Sequence, residues 1–132
     1  MPAERVVVDT SVWVDAFRGG ALADRARELL VDGRALLPSP AVTELLVGAR
    51  PGADLRAVET LIGAASPLVP EAADYEAAGQ LGHRLRRKGV TVGTVDLLIA
   101  AAVVRVGAPV WTLDEHFAAI SRHQRKLALF RP

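Results

Sequence analysis

The chain has 132 residues, 51% of them hydrophobic, and a formal net charge of +1. That size suits a single domain over residues 1–132 with one sizeable core, and the near-neutral balance excludes binding driven by overall charge, although basic groups can still gather locally. The absence of cysteine excludes a disulfide framework and a thiolate metal site. The polar start Met1-Pro2-Ala3-Glu4-Arg5 and the lack of any run long enough to cross a bilayer lead us to expect a cytoplasmic protein with no signal peptide and no membrane partner.

Arg5 to Val8 is a β-branched run that predicts a buried strand, and it stops at Asp9-Thr10-Ser11, residues that favour turns and helix starts. Asp9 is thereby placed at a strand's carboxyl end. Val12 to Phe17 predicts a short helix closed by Gly19-Gly20, and Leu22, Ala26, Leu29 and Leu30 give the next helix an apolar face that ends at Gly33. Ala35 to Leu37 is a second strand. Ser39-Pro40 opens a helix that carries Glu44, whose neighbours three and four residues away are Pro40, Ala41, Val47 and Gly48, a small and apolar face.

Beyond Arg50-Pro51-Gly52, Leu55, Val58, Leu61 and Ile62 mark a further amphipathic helix, and Pro67 to Pro70 is a weak strand that its prolines assign to a sheet edge. A long helix from about Ala72 to Lys88 has an expected inner stripe of Ala77, Ala78, Leu81 and Leu85, with His83, Arg86 and Arg87 outside. Gly89 ends it. The next helix, Val95 to about Val106, is apolar on every side and uncharged between Asp96 and Arg105, which predicts a buried central helix closed by Gly107. Thr94 is its expected N-cap, and Asp96 its second helical residue. Val110 to Leu113 is a strand ending at Asp114-Glu115-His116, followed by a short helix through Ile120 and an edge strand at Leu127 to Phe130.

Strands alternating with helices predict an α/β fold, a mostly parallel central sheet with helices on both faces, whose sites lie beyond the carboxyl ends of the strands. Asp9 and Asp114 occupy two such ends, and Asp96 and Glu44 sit near helix starts that can face the same crevice. Four converging acids cannot all stay ionised without a cation, and hard oxygen donors suit Mg²⁺ or Mn²⁺.

Each acid also has a plain structural reading. Asp9 and Asp114 can cap the helices that follow them, Asp96 can be a first-turn acid favoured by the helix dipole, and Glu44 can be half of a surface ion pair. Trp13 and Trp111 read as core, and His83 and His116 as exposed helix positions, neither ligands nor general bases. Only Lys88 and Lys126 among the sixteen basic residues are lysine, and the arginine count by itself carries no nucleic-acid inference. The local group His83, Arg84, Arg86, Arg87 and Lys88, a solvated face in its plainest reading, precedes the Asp96 loop where it can meet phosphate.

Four stretches in order, Asp9-Thr10-Ser11-Val12-Trp13, Thr43-Glu44-Leu45-Leu46, Thr94-Val95-Asp96-Leu97-Leu98-Ile99-Ala100 and Thr112-Leu113-Asp114-Glu115-His116-Phe117, resemble the acidic motifs of PIN-domain proteins. In length and spacing the chain is similar to the VapC toxins of VapBC modules, and the resemblance covers essentially the whole chain. It implies an RNA endonuclease in which Asp9, Glu44, Asp96 and Asp114 hold Mg²⁺ or Mn²⁺, with Thr10 or Ser11 as a nearby hydroxyl. It also implies a homodimer restrained by a cognate VapB-like antitoxin.

Three rivals use similar parts. A receiver-like phospho-acceptor domain wants an acid pair after the first strand and a lysine late in the sheet, whereas Thr10 and Ser11 follow Asp9 and neither lysine lies at a strand end. A haloacid dehalogenase-type phosphotransferase wants a second aspartate where Ser11 stands. A catalytically silent PIN-fold binding module would retain the fold without cleaving.

Overall fold

The computed structural model describes residues 3–132, so Met1 and Pro2 of the polar start lie outside the described residues. Four strands, β1 (Val6–Val8), β2 (Ala35–Pro38), β3 (Ser66–Leu68) and β4 (Val110–Trp111), form one sheet in the order β3-β2-β1-β4. Every pairing is parallel, with Val6 opposite Ala35, Val7 opposite Val110 and Leu36 opposite Ser66. All three valines of β1 are fully buried, as expected of a central strand covered on both faces. The proline-containing β3 takes the edge, where a missing N–H costs least.

The helices are α1 (Thr10–Phe17), α2 (Ala23–Val31), α3 (Ser39–Gly48), α4 (Ala53–Ala64), α5 (Ala72–Arg87), α6 (Thr94–Val106) and α7 (Glu115–His123). In α6 every residue from Leu97 to Val103 is buried, and Gly107 closes the helix in the left-handed conformation with φ 71°. Trp13 and Trp111 are core residues, each 2% exposed. No helix among the described residues is long and apolar enough to cross a membrane.

Several elements differ from the sequence expectation. Helix α1 begins at Thr10, directly after Asp9, and α6 begins at Thr94 with Gly93 as its N-cap, so Thr94 is not the cap and Asp96 is the third helical residue. On α5, Ala77 is exposed and Asp74 takes the inner position one turn before Ala78. Asp74 can lie there because Arg105 of α6 donates to both of its oxygens, at 3.0 and 2.9 Å, and because it closes a capping box with Glu71. Strand β4 is only two residues long. Thr112 Oγ1 accepts from the Asp114 backbone N–H and Ser11 Oγ from that of Leu113, which draws both residues out of the ladder. With so short a β4, the Leu127 to Phe130 segment forms one parallel bridge, Val110 with Leu129, and no strand.

Candidate active site

The chain leaves β1 for β2 and β3 on one side, then returns to place β4 on the other, so the topological switch point lies between β1 and β4. Crevices at such points open beyond the carboxyl ends of the strands. Asp9 follows β1 immediately, and Asp114 lies three residues beyond β4.

Asp9 is 4% exposed and caps α1. Its Oδ2 accepts from the Ser11 hydroxyl at 2.8 Å, the Thr112 hydroxyl at 2.9 Å and, at 3.4 Å, the Ser11 N–H. These bonds tie the end of β1 to the end of β4 and leave Oδ1 without a hydrogen-bond partner among the described residues. The two hydroxyls named by the sequence therefore do different things. Ser11 orients Asp9, whereas Thr10 donates to Glu44 Oε1 at 3.2 Å across to α3.

Asp114 caps α7 by accepting the His116 N–H at 2.9 Å. The capping reading of Asp9 and Asp114 thus holds, and it leaves both carboxylates at the crevice. Asp96 is different, because α6 has no side-chain cap and the Asp96 carboxylate meets the ring of His116 at 3.2 Å.

The acids sense one another. Desolvation pushes the Asp96 carboxyl above its ordinary value of 3.8, the His116 hydrogen bond opposes this, and the charges of Asp114 and Asp9 add to the rise. Glu44 is raised above 4.5 by desolvation, against the Thr10 hydrogen bond, with Asp96, Asp9 and Asp114 pushing the same way. Glu44 is exposed on α3 and lines a neighbouring groove. That groove, a cavity of about 620 Å³, runs from Thr10 and Glu44 along Val14, Phe17, Leu45 and Val58.

Asp96, Asp114 and His116 each present a donor atom, and the three atoms lie within 4.8 Å of one another. Two carboxylate oxygens and an imidazole nitrogen at that spacing fit a divalent cation. Asp9 and Glu44 flank this trio. His116 is the exposed helix position the sequence led us to expect, with 54% of its side chain accessible, and its Nδ1 faces Asp96 and Asp114. Its signal was the spacing Asp114-x-His116 at a helix start, where the second helical residue turns back over the cap. His83, Arg84, Arg86, Arg87 and Lys88 are all exposed at the end of α5 and make no ion pair among the described residues.

Comparison with known proteins agrees with this geometry. The PIN domain family model matches residues 6–123. VapC ribonuclease Mb1587 of Mycobacterium bovis is 36% identical over 123 residues, covering 89% of this chain and 92% of the relative, and Ribonuclease VapC11 of Mycobacterium tuberculosis matches to the same extent. Among solved structures, DNA-bound VapBC of Salmonella typhimurium aligns with TM-score 0.80 and 24% identity over 97% of this chain and 98% of that one. VapBC-5 of Mycobacterium tuberculosis aligns with TM-score 0.72 and 26% identity over 98% and 100%. A four-stranded parallel sheet with its acids at the β1/β4 switch point, a family match across most of the chain and a 36% identical ribonuclease lead to one conclusion: the chain belongs to the PIN-domain family, among the VapC ribonucleases.

Proposed function

We infer that this chain is a Mg²⁺- or Mn²⁺-dependent endoribonuclease and the toxin of a VapBC-type pair, acting in the cytoplasm where its RNA substrate resides. What supports the reading is the grouping of Asp96, Asp114 and His116 within 4.8 Å, with the charges of Asp9, Asp96 and Asp114 reaching Glu44, in a chain 36% identical to named ribonucleases. Asp9, Asp96 and Asp114 would hold the cation. Bound there, a divalent ion neutralises charge on the phosphodiester oxygens and acidifies water at neutral pH. The protein's own side chains supply the rest. Thr10 fixes the Glu44 carboxylate, which accepts a proton from, or orients, the attacking water, and Ser11 and Thr112 hold Asp9 by Oδ2 so that Oδ1 is free to ligate.

Substrate and partner follow from charge and shape. His83, Arg84, Arg86, Arg87 and Lys88 hold RNA by its backbone, supported by their exposure and lack of acidic partners. A VapB-like antitoxin occupies the groove beside Glu44, its apolar side chains against Val14, Phe17 and Leu45 and an arginine at the carboxylates, where it competes with metal and phosphate. A homodimer is supported by the apolar Leu46 and Val47 on α3, the latter 82% exposed.

Purified protein incubated with structured RNA should cleave in Mg²⁺ or Mn²⁺ and stop in EDTA, and a co-expressed cognate antitoxin should relieve growth arrest and co-purify. Full activity in EDTA would overturn the mechanism. Metal-independent RNA binding without cleavage would make the chain a silent binding module.

A further inference from the structure

His116 stands in a place that the acidic motifs leave unexplained. Its Nδ1 lies 3.2 Å from Asp96 Oδ2 and 3.3 Å from Asp114 Oδ1. A ring nitrogen carries at most one proton and can serve only one of two carboxylates with it. A cation among the three atoms serves all of them. The spacing also fits: with ligand bonds of about 2.1 Å, adjacent donors around an octahedral ion stand about 3 Å apart and opposite donors about 4.2 Å apart. The three donors here lie within 4.8 Å of one another. The backbone N–H of His116 donates to Asp114 Oδ1 at 2.9 Å, which fixes the residue's main chain over that carboxylate in the first turn of α7. With 54% of its side chain accessible, His116 fills no core space that would otherwise account for it.

We propose that His116 Nδ1 is a nitrogen ligand of the cation at Asp96 and Asp114, and that it tilts the centre toward Mn²⁺ over Mg²⁺. Mg²⁺ is a hard ion that keeps to oxygen, whereas imidazole suits first-row transition ions, so one nitrogen in an otherwise carboxylate set acts on the ratio of affinities. The proposal rests on reading the acids as a metal centre and adds the donor that sets its preference. Ligation through Nδ1 places the ring proton on Nε2, for which no partner among the described residues competes.

The test uses the full chain with Mn²⁺ alone and with Mg²⁺ alone, read by Mn²⁺ electron paramagnetic resonance titration, ¹⁴N electron spin-echo modulation and calorimetry. Wild type should show directly coordinated ¹⁴N. His116→Asn should lose that modulation and bind Mn²⁺ roughly tenfold more weakly, with Mg²⁺ affinity changed by less than about twofold. His116→Asp should also lose the modulation while retaining an oxygen donor, and should narrow the Mn²⁺/Mg²⁺ ratio. Cooperative melting of both variants in EDTA, with His116→Asp somewhat lower because it adds a negative charge beside Asp96 and Asp114, shows that folding is intact. Mn²⁺ bound to wild type without ¹⁴N modulation, or modulation that survives His116→Asn, would overturn the role of His116 and leave the acidic centre standing. Failure of wild type to bind Mn²⁺ at all would overturn both.

Discussion

Asp74 and Asp96 are the same residue type at the same place on neighbouring helices, each the third residue of its helix in the packed pair α5 and α6. Helix-dipole stabilisation is therefore available to both. Their partners differ. Asp74, 3% exposed, receives the Arg105 guanidinium on both oxygens and the Glu71 N–H at 2.8 Å, so the chain supplies its counter-charge. Asp96 receives one imidazole nitrogen, faces Asp114 at the same site, and is pushed upward by desolvation and by the charges of Asp114 and Asp9. Helix position does not separate the two acids; Asp74 is buried, whereas 19% of the Asp96 side chain is accessible. Their counter-charges also differ: Arg105 supplies that of Asp74, and on the function proposed above a bound cation supplies that of Asp96.

The widest separation of the two acids should appear in cleavage. Asp96→Asn should lower RNA cleavage about a thousandfold, on the order of 4 kcal/mol of barrier, because an amide supplies the anionic oxygen poorly. Asp74→Asn should leave cleavage per folded molecule unchanged. Asp9→Asn should resemble Asp96→Asn, since the amide retains a carbonyl oxygen for the Ser11 and Thr112 hydroxyls and loses the charge. Equal loss from the Asp74 and Asp96 variants would erase the distinction.

Stability should reverse the order. Asp74→Ala takes from Arg105 its buried carboxylate, leaving it Glu71 and the Val69 carbonyl, and removes half of a capping box; it should cost about 2–3 kcal/mol in denaturant unfolding, below the range for a fully buried pair because Arg105 keeps those partners and some solvent. Asp96→Asn in EDTA should cost nothing or stabilise. The pH dependence follows with a definite sign. Asp96 and Glu44 have folded-state values above their ordinary 3.8 and 4.5, so between those values and the raised ones the native state binds more protons than the unfolded chain. Each group therefore subtracts stability as pH rises through that window and subtracts nothing further above it. The advantage of Asp96→Asn over wild type in EDTA should be present at pH 7 and vanish below about pH 4, measured by melts across the range.

The smallest effect concerns the opposite end of α5 from Asp74. Replacing Arg86 and Arg87 by Ala should weaken RNA binding alike for all sequences and flatten the salt dependence by roughly one unit of slope per lost phosphate contact. An unchanged slope would return these side chains to a solvated surface.

The strand and helix order was legible because the signals are local. Val6 to Val8 is β-branched, Gly33, Gly89 and Gly107 close helices in the left-handed region, and prolines mark the edge strand. The positions of Asp9, Asp96 and Asp114 were legible because strand ends and helix starts are fixed by the same signals, whereas Glu44, expected near a helix start, lies mid-helix as the sixth residue of α3. Asp74 was not, since its burial depends on Arg105, thirty-one residues away, and periodicity alone prefers Ala77. The surroundings of His116 were hidden for a related reason: its exposure was read correctly, and only the approach of α6 to α7 gives its ring two carboxylates to face. The shortened β4 likewise depends on the hydroxyl of Ser11, far away in sequence.

The central claim, that Asp96 takes its counter-charge from a cation the chain does not carry, is tested most directly by thermal and denaturant melts of wild type and Asp96→Asn, in EDTA and in excess Mn²⁺. Wild type should gain about 2.7 kcal/mol when free metal is a hundredfold above its dissociation constant, and the variant should lose most of that gain while melting no lower than wild type in EDTA. A wild type indifferent to metal, with Asp96→Asn indistinguishable from it under both conditions, would contradict the account and reduce Asp96 to a first-turn acid of the central helix.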